Sequence, residues 1–101
     1  MTDINQFISD HISEANITMA MISECVHISP STLYRKIKAL TGMSGNEYVR
    51  KLRLQHSLHL MQHCHRNVSE AAFESGFSDL AYFRNSFKAE YGCAPKEYLK
   101  R

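Results

Sequence analysis

The stretch SPSTLYRKIKALTG, residues 29–42, decides how the rest of the chain is interpreted. Ser29 and Pro30 suit the start of a helix, because a serine hydroxyl can accept an unpaired backbone N–H of the first turn and proline lacks the donor that would be unpaired there. Gly42 suits the end, since glycine readily adopts the left-handed conformation of a helix C-cap. Apolar residues recur between them at helical spacing: Leu33, Ile37 and Leu40. The pattern predicts a short helix with one apolar side and a basic, hydroxyl-rich opposite side.

Composition is that of an ordinary folded protein. The chain has 101 residues, of which 44% are hydrophobic and 22% charged, which suits one compact unit or two very small ones. Helical spacing of apolar residues dominates, and β-branched residues never alternate over a long run, so we predict an all-α fold of about seven helices. No apolar stretch approaches the roughly 20 residues that span a membrane, and the N-terminus lacks the pattern of a secretory signal. We therefore expect a cytoplasmic protein with no membrane contact.

Capping residues predict where the other helices begin. Ser44 and Glu47 have the spacing of a capping box, in which each side chain accepts the backbone N–H of the other residue. They would start the longest helix, of about 17 residues. Hydroxyl, carboxylate or proline side chains mark the remaining starts: Thr18, Ser69, Ser78 or Asp79, and Pro95. Gly92, like Gly42, is expected to end the helix before it.

Charge is distributed unevenly along the chain. Residues 1–28 contain no lysine or arginine and four acidic residues. Residues 29–101 hold all twelve basic residues against six acidic ones, a balance of +6. Such asymmetry favours a polyanionic partner for the later part of the chain, although many basic stretches are only solvated surface.

The chain repeats itself at an interval of about 50 residues. Shifted by 50, its apolar, basic and glycine positions coincide in several pairs: Leu33 with Phe83, Ile37 with Phe87, Lys38 with Lys88, and Gly42 with Gly92. Before the turn the shift is 49, where Ile28 meets Phe77, and these two hydrophobes would wedge between the helices on either side. Each copy has the form of a helix-turn-helix. We predict two subdomains, residues 1–43 and 64–101, joined by a long helix over residues 44–63.

The polar side of the quoted helix suits the major groove of DNA. Its exposed residues would be Ser31, Tyr34, Arg35 and Lys38, opposite the apolar stripe. The major groove admits one α-helix, and arginine can donate two hydrogen bonds to a guanine edge. Solvated surface or an ion pair is the alternative for these arginines.

Residues 71–98, AAFESGFSDLAYFRNSFKAEYGCAPKEY, carry a resemblance to a known family. They resemble the signature I-A-x-x-x-G-F-S-x-x-x-Y-F-x-x-x-F-K-x-x-x-G-x-x-P-x-x-Y of the DNA-binding domain of the AraC/XylS family of bacterial transcription regulators. The matching residues are Gly76, Phe77, Ser78, Tyr82, Phe83, Phe87, Lys88, Gly92, Pro95 and Tyr98. Residues 29–42 and 47–54 are similar to the first half of that domain. Their sequences most resemble those of the output modules of hybrid two-component regulators.

The resemblance implies which residues contact DNA. Base contacts would come from the outer face of each second helix: Ser31, Tyr34 and Arg35 in the first copy, and Leu80, Ala81, Arg84 and Asn85 in the second. Independently of the resemblance, the positive charge of nearby residues suits phosphate contacts: Lys36, Lys38, Arg53 and Lys88. Arginine suits guanine and asparagine suits adenine, while Leu80 and Ala81 could meet a thymine methyl group.

Five positions depart from the family pattern: Ser23, His27, Ile37, Ala71 and Ala94. Two of them affect a turn or the start of a helix. His27 stands where the first turn usually has glycine, so this turn must either avoid a positive φ or hold it under strain. Ala94 stands where a serine or threonine usually caps the last helix, so we expect that helix to be weakly capped.

Metal, disulfide and cofactor sites have weak support. Cys25, Cys64 and Cys93 are odd in number and without paired spacing, which favours free thiols. Three histidines share the long helix and could hold zinc, but an exposed polar face is the favoured explanation for them: His56, His59 and His63. We predict no metal and no cofactor.

Specific binding of double-stranded DNA in transcription control is thus the predicted function. A protein-docking domain that retained the fold is the main alternative, and salt-insensitive or absent DNA affinity would favour it. An enzyme is disfavoured, because no nucleophile motif, phosphate loop or paired carboxylates are present. Since family members usually carry a sensing or dimerising domain, we expect a fragment or a stand-alone member. Further expectations are a contact with RNA polymerase and a monomer in isolation.

Overall fold

The computed structural model describes residues 2–14 and 17–100, and all regular elements in these ranges are helices. Seven are present, which confirms the prediction of an all-α fold. Their bounds are α1 Thr2–Asp10, α2 Met19–Val26, α3 Pro30–Thr41, α4 Gly45–His63, α5 Val68–Glu74, α6 Leu80–Tyr91 and α7 Pro95–Leu99. None of these helices has the length and apolar character needed to cross a membrane.

Two hydrophobic clusters divide the molecule into lobes that share α4. The first lobe packs α1, α2, α3 and the start of α4 around one cluster: Ile4, Ile8, Ile22, Leu33, Ile37, Tyr48 and Val49. The second lobe packs the rest of α4 with α5 and α6 around the other, with Tyr98 of α7 against it: Leu54, Met61, Ala71, Ala72, Phe77, Phe83 and Phe87. The subdomain limits at residues 43 and 64 stay a prediction, because α4 contributes to both clusters.

Helix α3 and helix α6 are built alike, 50 residues apart. Leu33 and Ile37 are fully buried in the first lobe, as are Phe83 and Phe87 in the second. Gly42 and Gly92 cap the two helices in the left-handed region, and each donates its N–H to a lysine carbonyl at 2.8 Å. The repeat in the sequence is therefore a repeat in the structure.

Leu40 does not belong to the buried side of α3. Its side chain is 60% exposed, although its spacing from Leu33 predicted burial. Leu40 lies in the last turn of α3 and is not among the residues that pack into or against the first cluster. Of the three residues predicted to be buried, Leu33 and Ile37 are buried and Leu40 is not.

Most predicted caps are present, and the exceptions have simple causes. The side chains of Thr18, Ser29 and Asp79 accept backbone N–H groups of the helices they begin. The prediction of Ser69 as a cap was wrong, because Asn67 accepts the N–H of Glu70 in a complete capping box two residues earlier.

The start of α4 carries only half of the predicted capping box. Ser44 Oγ accepts the Glu47 N–H at 3.2 Å, but the Glu47 carboxylate accepts the Ser44 hydroxyl rather than the Ser44 backbone N–H. The helix is also two residues longer than expected, at 19 residues.

The two turns differ in chemistry and share a geometry. His27 adopts φ 59° and ψ 38°, so the first turn holds the positive φ that Gly76 provides in the second, at φ 90°. Ile28 is half-buried and Phe77 is buried, each against its own lobe's cluster. Ala94 precedes α7 without a side-chain cap, and α7 extends over only five residues.

Candidate nucleic-acid interface

Helix α3 exposes a regular row of polar side chains. Ser31, Tyr34, Arg35 and Lys38 lie at i, i+3, i+4 and i+7, which places them on one side of a helix, away from the buried Leu33. Tyr34 is 52% exposed although it is aromatic, because it faces away from the cluster. The start of α3 contains no acidic residue. This face is therefore free of negative charge and open to a partner.

Helix α6 exposes the same row 50 positions later. Ala81, Arg84, Asn85 and Lys88 are all exposed and repeat the i, i+3, i+4, i+7 spacing. Leu80 differs from the other predicted contacts, since it is half-buried and packs against the second cluster. The two rows differ in content: Tyr34 corresponds to Arg84, and Arg35 corresponds to Asn85. The two lobes therefore share a helix arrangement but expose different side chains on α3 and α6.

The two arginines of these rows are available for intermolecular contacts. Within residues 2–14 and 17–100, neither Arg35 nor Arg84 forms an ion pair with a carboxylate inside 4.0 Å. Lys36 and Lys88 are also exposed. Lys38 donates from Nζ to the Gly42 carbonyl at 3.1 Å, which supports the end of its own helix.

Arg53 lies elsewhere, and its predicted phosphate contact is corrected. Only 6% of the side chain is exposed, and its guanidinium donates to the backbone carbonyls of Ile12, Glu14 and Ser75. A group buried in this way is not accessible to a phosphate. The prediction treated Arg53 as one of the cations available to phosphates, but its position on α4 turns the side chain inward.

Sequence reasoning missed a contact between α4 and α6. Arg50 Nη1 donates to Tyr82 Oη at 3.4 Å, and this bond lowers the pKa of Tyr82 and raises the pKa of Arg50. Tyr82 is 49% exposed, with its ring centroid 6.0 Å from that of Phe77. The two partners are 32 residues apart, so no local signal could have revealed the pair.

The histidines of α4 do not gather into a metal site. His59 and His63 stack with ring centroids 5.1 Å apart, and His56 is half-buried. Burial, followed by the nearby His59, lowers the pKa of His56. In the part of the chain that the structure describes, no three metal-ligating side chains lie close enough to share an ion.

The dimensions of the molecule suit two contacts with one duplex. Its principal extents are 42, 22 and 22 Å. One turn of B-DNA is about 34 Å long, so a molecule of this length can place two helices in successive major grooves.

Comparison with known proteins places this geometry in a family. Residues 22–101 match the family described as "Helix-turn-helix domain". A curated relative, the HTH-type transcriptional activator RhaS of Escherichia fergusonii, is 34% identical over 91 residues, which cover 90% of this chain and 32% of RhaS. The chain thus spans about a third of the length of the curated relatives it matches.

Two solved structures share the fold over nearly the whole chain. A DNA-binding transcriptional dual regulator from Escherichia coli K-12 has a TM-score of 0.85 and 27% identity, covering 99% of this chain and 94% of that one. The C-terminal domain of the two-component response regulator yesN from Fusobacterium nucleatum has a TM-score of 0.81 and 26% identity, covering 94% and 92%.

Proposed function

This chain belongs to the AraC/XylS family of helix-turn-helix transcription regulators, so its function is sequence-specific DNA binding rather than catalysis, and we propose that α3 and α6 read successive major grooves of one duplex. One observation carries the proposal. Both helices expose a row of side chains with the same i, i+3, i+4, i+7 spacing, polar or charged at every position except Ala81, in the two lobes of a molecule 42 Å long. A single chain would then read an asymmetric site of two boxes about one helical turn apart.

Base contacts are assigned to the exposed rows. In α3 these are Ser31, Tyr34 and Arg35, and in α6 they are Ala81, Arg84 and Asn85, with Leu80 at the edge of the row. Arginine can donate two hydrogen bonds to guanine, and asparagine can pair with adenine. Because arginine occupies different positions in the two rows, the two boxes should differ in sequence. Each good pair contributes about 1–3 kcal/mol of discrimination.

Phosphate contacts are assigned to exposed cations beside the rows. Lys36, Lys38 and Lys88 would hold the domain on the duplex without reading its sequence. Lys38 would keep its bond to Gly42 or exchange it for a phosphate, so its contribution should be the smallest of the three.

The relatives suggest in what kind of protein this domain acts. RhaS is a transcriptional activator, and yesN is a two-component response regulator of which the similar part is the C-terminal domain. We infer that this chain acts in the cytoplasm as the DNA-binding part of a longer regulator, and that it contacts RNA polymerase when bound. In isolation we expect a monomer.

A selection from random duplexes of about 30 base pairs tests the reading model. The parent chain should enrich two boxes whose centres lie about 10 base pairs apart. Arg35→Ala should weaken enrichment of one box and Arg84→Ala that of the other. Arg66→Ala is the control, because it removes the same positive charge at a residue that pairs with Glu74 and lies in neither row. This variant should still enrich both boxes. One box only, or none at low salt, contradicts the model, and absence of any binding favours a protein-docking function.

A further inference from the structure

Arg53 occupies the junction between the two lobes. It lies on α4 between Val49, which belongs to the first cluster, and Leu54, which belongs to the second. Its side chain is nevertheless almost completely buried. A charged side chain is rarely placed in such a position unless its donors are satisfied, because burial of an unpaired charge is costly.

The guanidinium connects the ends of two helices from different lobes. Nη2 donates to the Glu14 carbonyl at 2.7 Å, and Nη1 donates to the carbonyls of Ile12 and Ser75, at 3.2 Å each. Ile12 and Glu14 follow the C-terminal end of α1 in the first lobe, and Ser75 follows the end of α5 in the second. The C-terminal end of a helix carries partial negative charge, so a cation stabilises both ends at once.

Gly76 shows how closely the second turn lies against this cation. A Cβ atom on Gly76 would overlap Arg53 Nη1 and the Ile12 carbonyl oxygen. The turn that leads into α6 therefore rests on both the guanidinium and the first lobe. Displacement of Arg53 would release the second turn from the end of α1.

Other polar contacts across this region are weaker. Arg50 reaches Tyr82 at 3.4 Å and Lys51 reaches Glu90 at 3.9 Å, and all four side chains are at least partly exposed. Exposed pairs of this kind contribute little to stability, because water screens them. Arg53 forms one bond of 2.7 Å and two of 3.2 Å, its side chain is almost completely buried, and the three bonds converge on one rigid planar group.

We propose that Arg53 is a positioning residue that fixes the angle between the lobes and thereby sets the spacing at which the two DNA boxes are read. The proposal rests on the two-groove reading model. A rotation of about 10° at the junction, on a lever of about 17 Å, moves a reading helix by about 3 Å, close to the rise of one base pair. Loosening Arg53 should therefore reduce discrimination between spacings that differ by one base pair.

Three variants separate positioning from folding and charge. Arg53→Met keeps the apolar stem and removes all donors. Arg53→Lys keeps the charge but has one nitrogen, which cannot reach both helix ends with the geometry of a planar fork, and it serves if the methionine variant does not fold. Arg66→Met is the control, since Arg66 bonds to Glu74 and Cys64 inside the second lobe.

The first readout needs no DNA. Spin labels on the exposed Cys25 of α2 and on Lys96→Cys of α7, in a Cys64→Ser background, report the distance between the lobes. The parent and Arg66→Met should give one narrow distance distribution, and both Arg53 variants a broad one. A narrow, unchanged distribution in the folded Arg53 variants overturns the proposal.

The second readout is spacing preference on DNA. Duplexes carry the selected boxes at the selected spacing, or with one base pair inserted or deleted, and the parent should prefer the selected spacing by about tenfold. In the Arg53 variants the preference should fall below about threefold while affinity for each single box stays unchanged. Retained preference, or equal loss on single boxes, overturns the proposal. A parent that selects no boxes contradicts the reading model alone, and the label distances still decide whether Arg53 holds the lobes.

Discussion

The two lobes use the same helix arrangement with different cores. In the second lobe, aromatic rings run through the centre: the centroid of Phe83 lies 5.0 Å from Phe77 and 5.9 Å from Phe87, and Phe87 lies 4.5 Å from Tyr91. The first lobe has aliphatic residues at the matching positions, Leu33 and Ile37. Aromatic rings bury more surface and add edge-to-face attraction. The second lobe should therefore be the more stable half, and the first the more easily perturbed.

Truncation of the matching core positions tests this difference most directly. Phe87→Ala should lower the free energy of unfolding by about 3–5 kcal/mol, because the ring leaves a large cavity beside Tyr91 and Tyr98. Ile37→Ala should cost about 2–4 kcal/mol. Urea unfolding followed by circular dichroism compares the two. A larger loss for Ile37→Ala would reverse the ranking of the lobes.

The glycines provide the second comparison. Gly76→Ala should destabilise the protein by about 2–4 kcal/mol, because alanine at φ 90° is strained and its Cβ would displace Arg53. Gly42→Ala is the control, since Gly42 has φ 74° with open space around the added atom, and it should cost only about 1 kcal/mol. Thermal unfolding measures both. Equal losses would mean that contact between Gly76 and Arg53 contributes nothing.

The parts of this structure that sequence could predict are those determined within one helical turn. Thr18 and Ser29 cap helices because their partners lie three residues away, and Gly42 and Gly92 act on the turn just before them. Ser69 failed as a cap by the same logic, since Asn67 is a competing acceptor two residues earlier. Local hydrogen bonding explains both the success and the error.

The parts that sequence could not predict depend on distant partners. Leu40 has the correct spacing for burial, but spacing does not reveal whether another element covers that position. Arg53 was predicted at the surface because its three acceptors lie 22 to 41 residues away. The exposed rows of α3 and α6 were predicted correctly as faces, because Leu33 and Phe83 define the opposite side. Their roles toward DNA stay predictions.

The first turn can be made more stable by giving it the glycine that the second turn already has. His27 holds φ 59°, a conformation that costs a residue with a Cβ about 1–2 kcal/mol relative to glycine. His27→Gly should therefore raise the free energy of unfolding by about 0.5–1 kcal/mol, after the entropy of the added glycine is offset. Thermal unfolding checks this, and His27→Asn, which tolerates the same region, should give an intermediate value. A loss of stability in His27→Gly would show that the imidazole makes contacts that outweigh the strain.

The smallest expected effect is a dependence on pH that acts through the first lobe. His56 lies on α4 and lines a cavity together with Ile8 of α1 and Ile12 of the turn that follows, and burial lowers its pKa below the ordinary value of about 6.5. Because the folded protein favours the neutral form of His56, the unfolded chain binds the proton more readily. The contribution of His56 to the free energy of unfolding is therefore complete above the ordinary pKa of about 6.5 and decreases as the pH falls below it. The nearby His59 adds to this effect and Glu74 opposes it. When the pH falls from 8 to 5.5, the urea concentration at the midpoint of unfolding should decrease more for the parent than for His56→Gln. Hydrogen exchange should increase first in α1. Equal losses in the two proteins would exclude His56 as the source, and exchange that increases first in α5 or α6 would place the acid-sensitive half of the molecule in the second lobe.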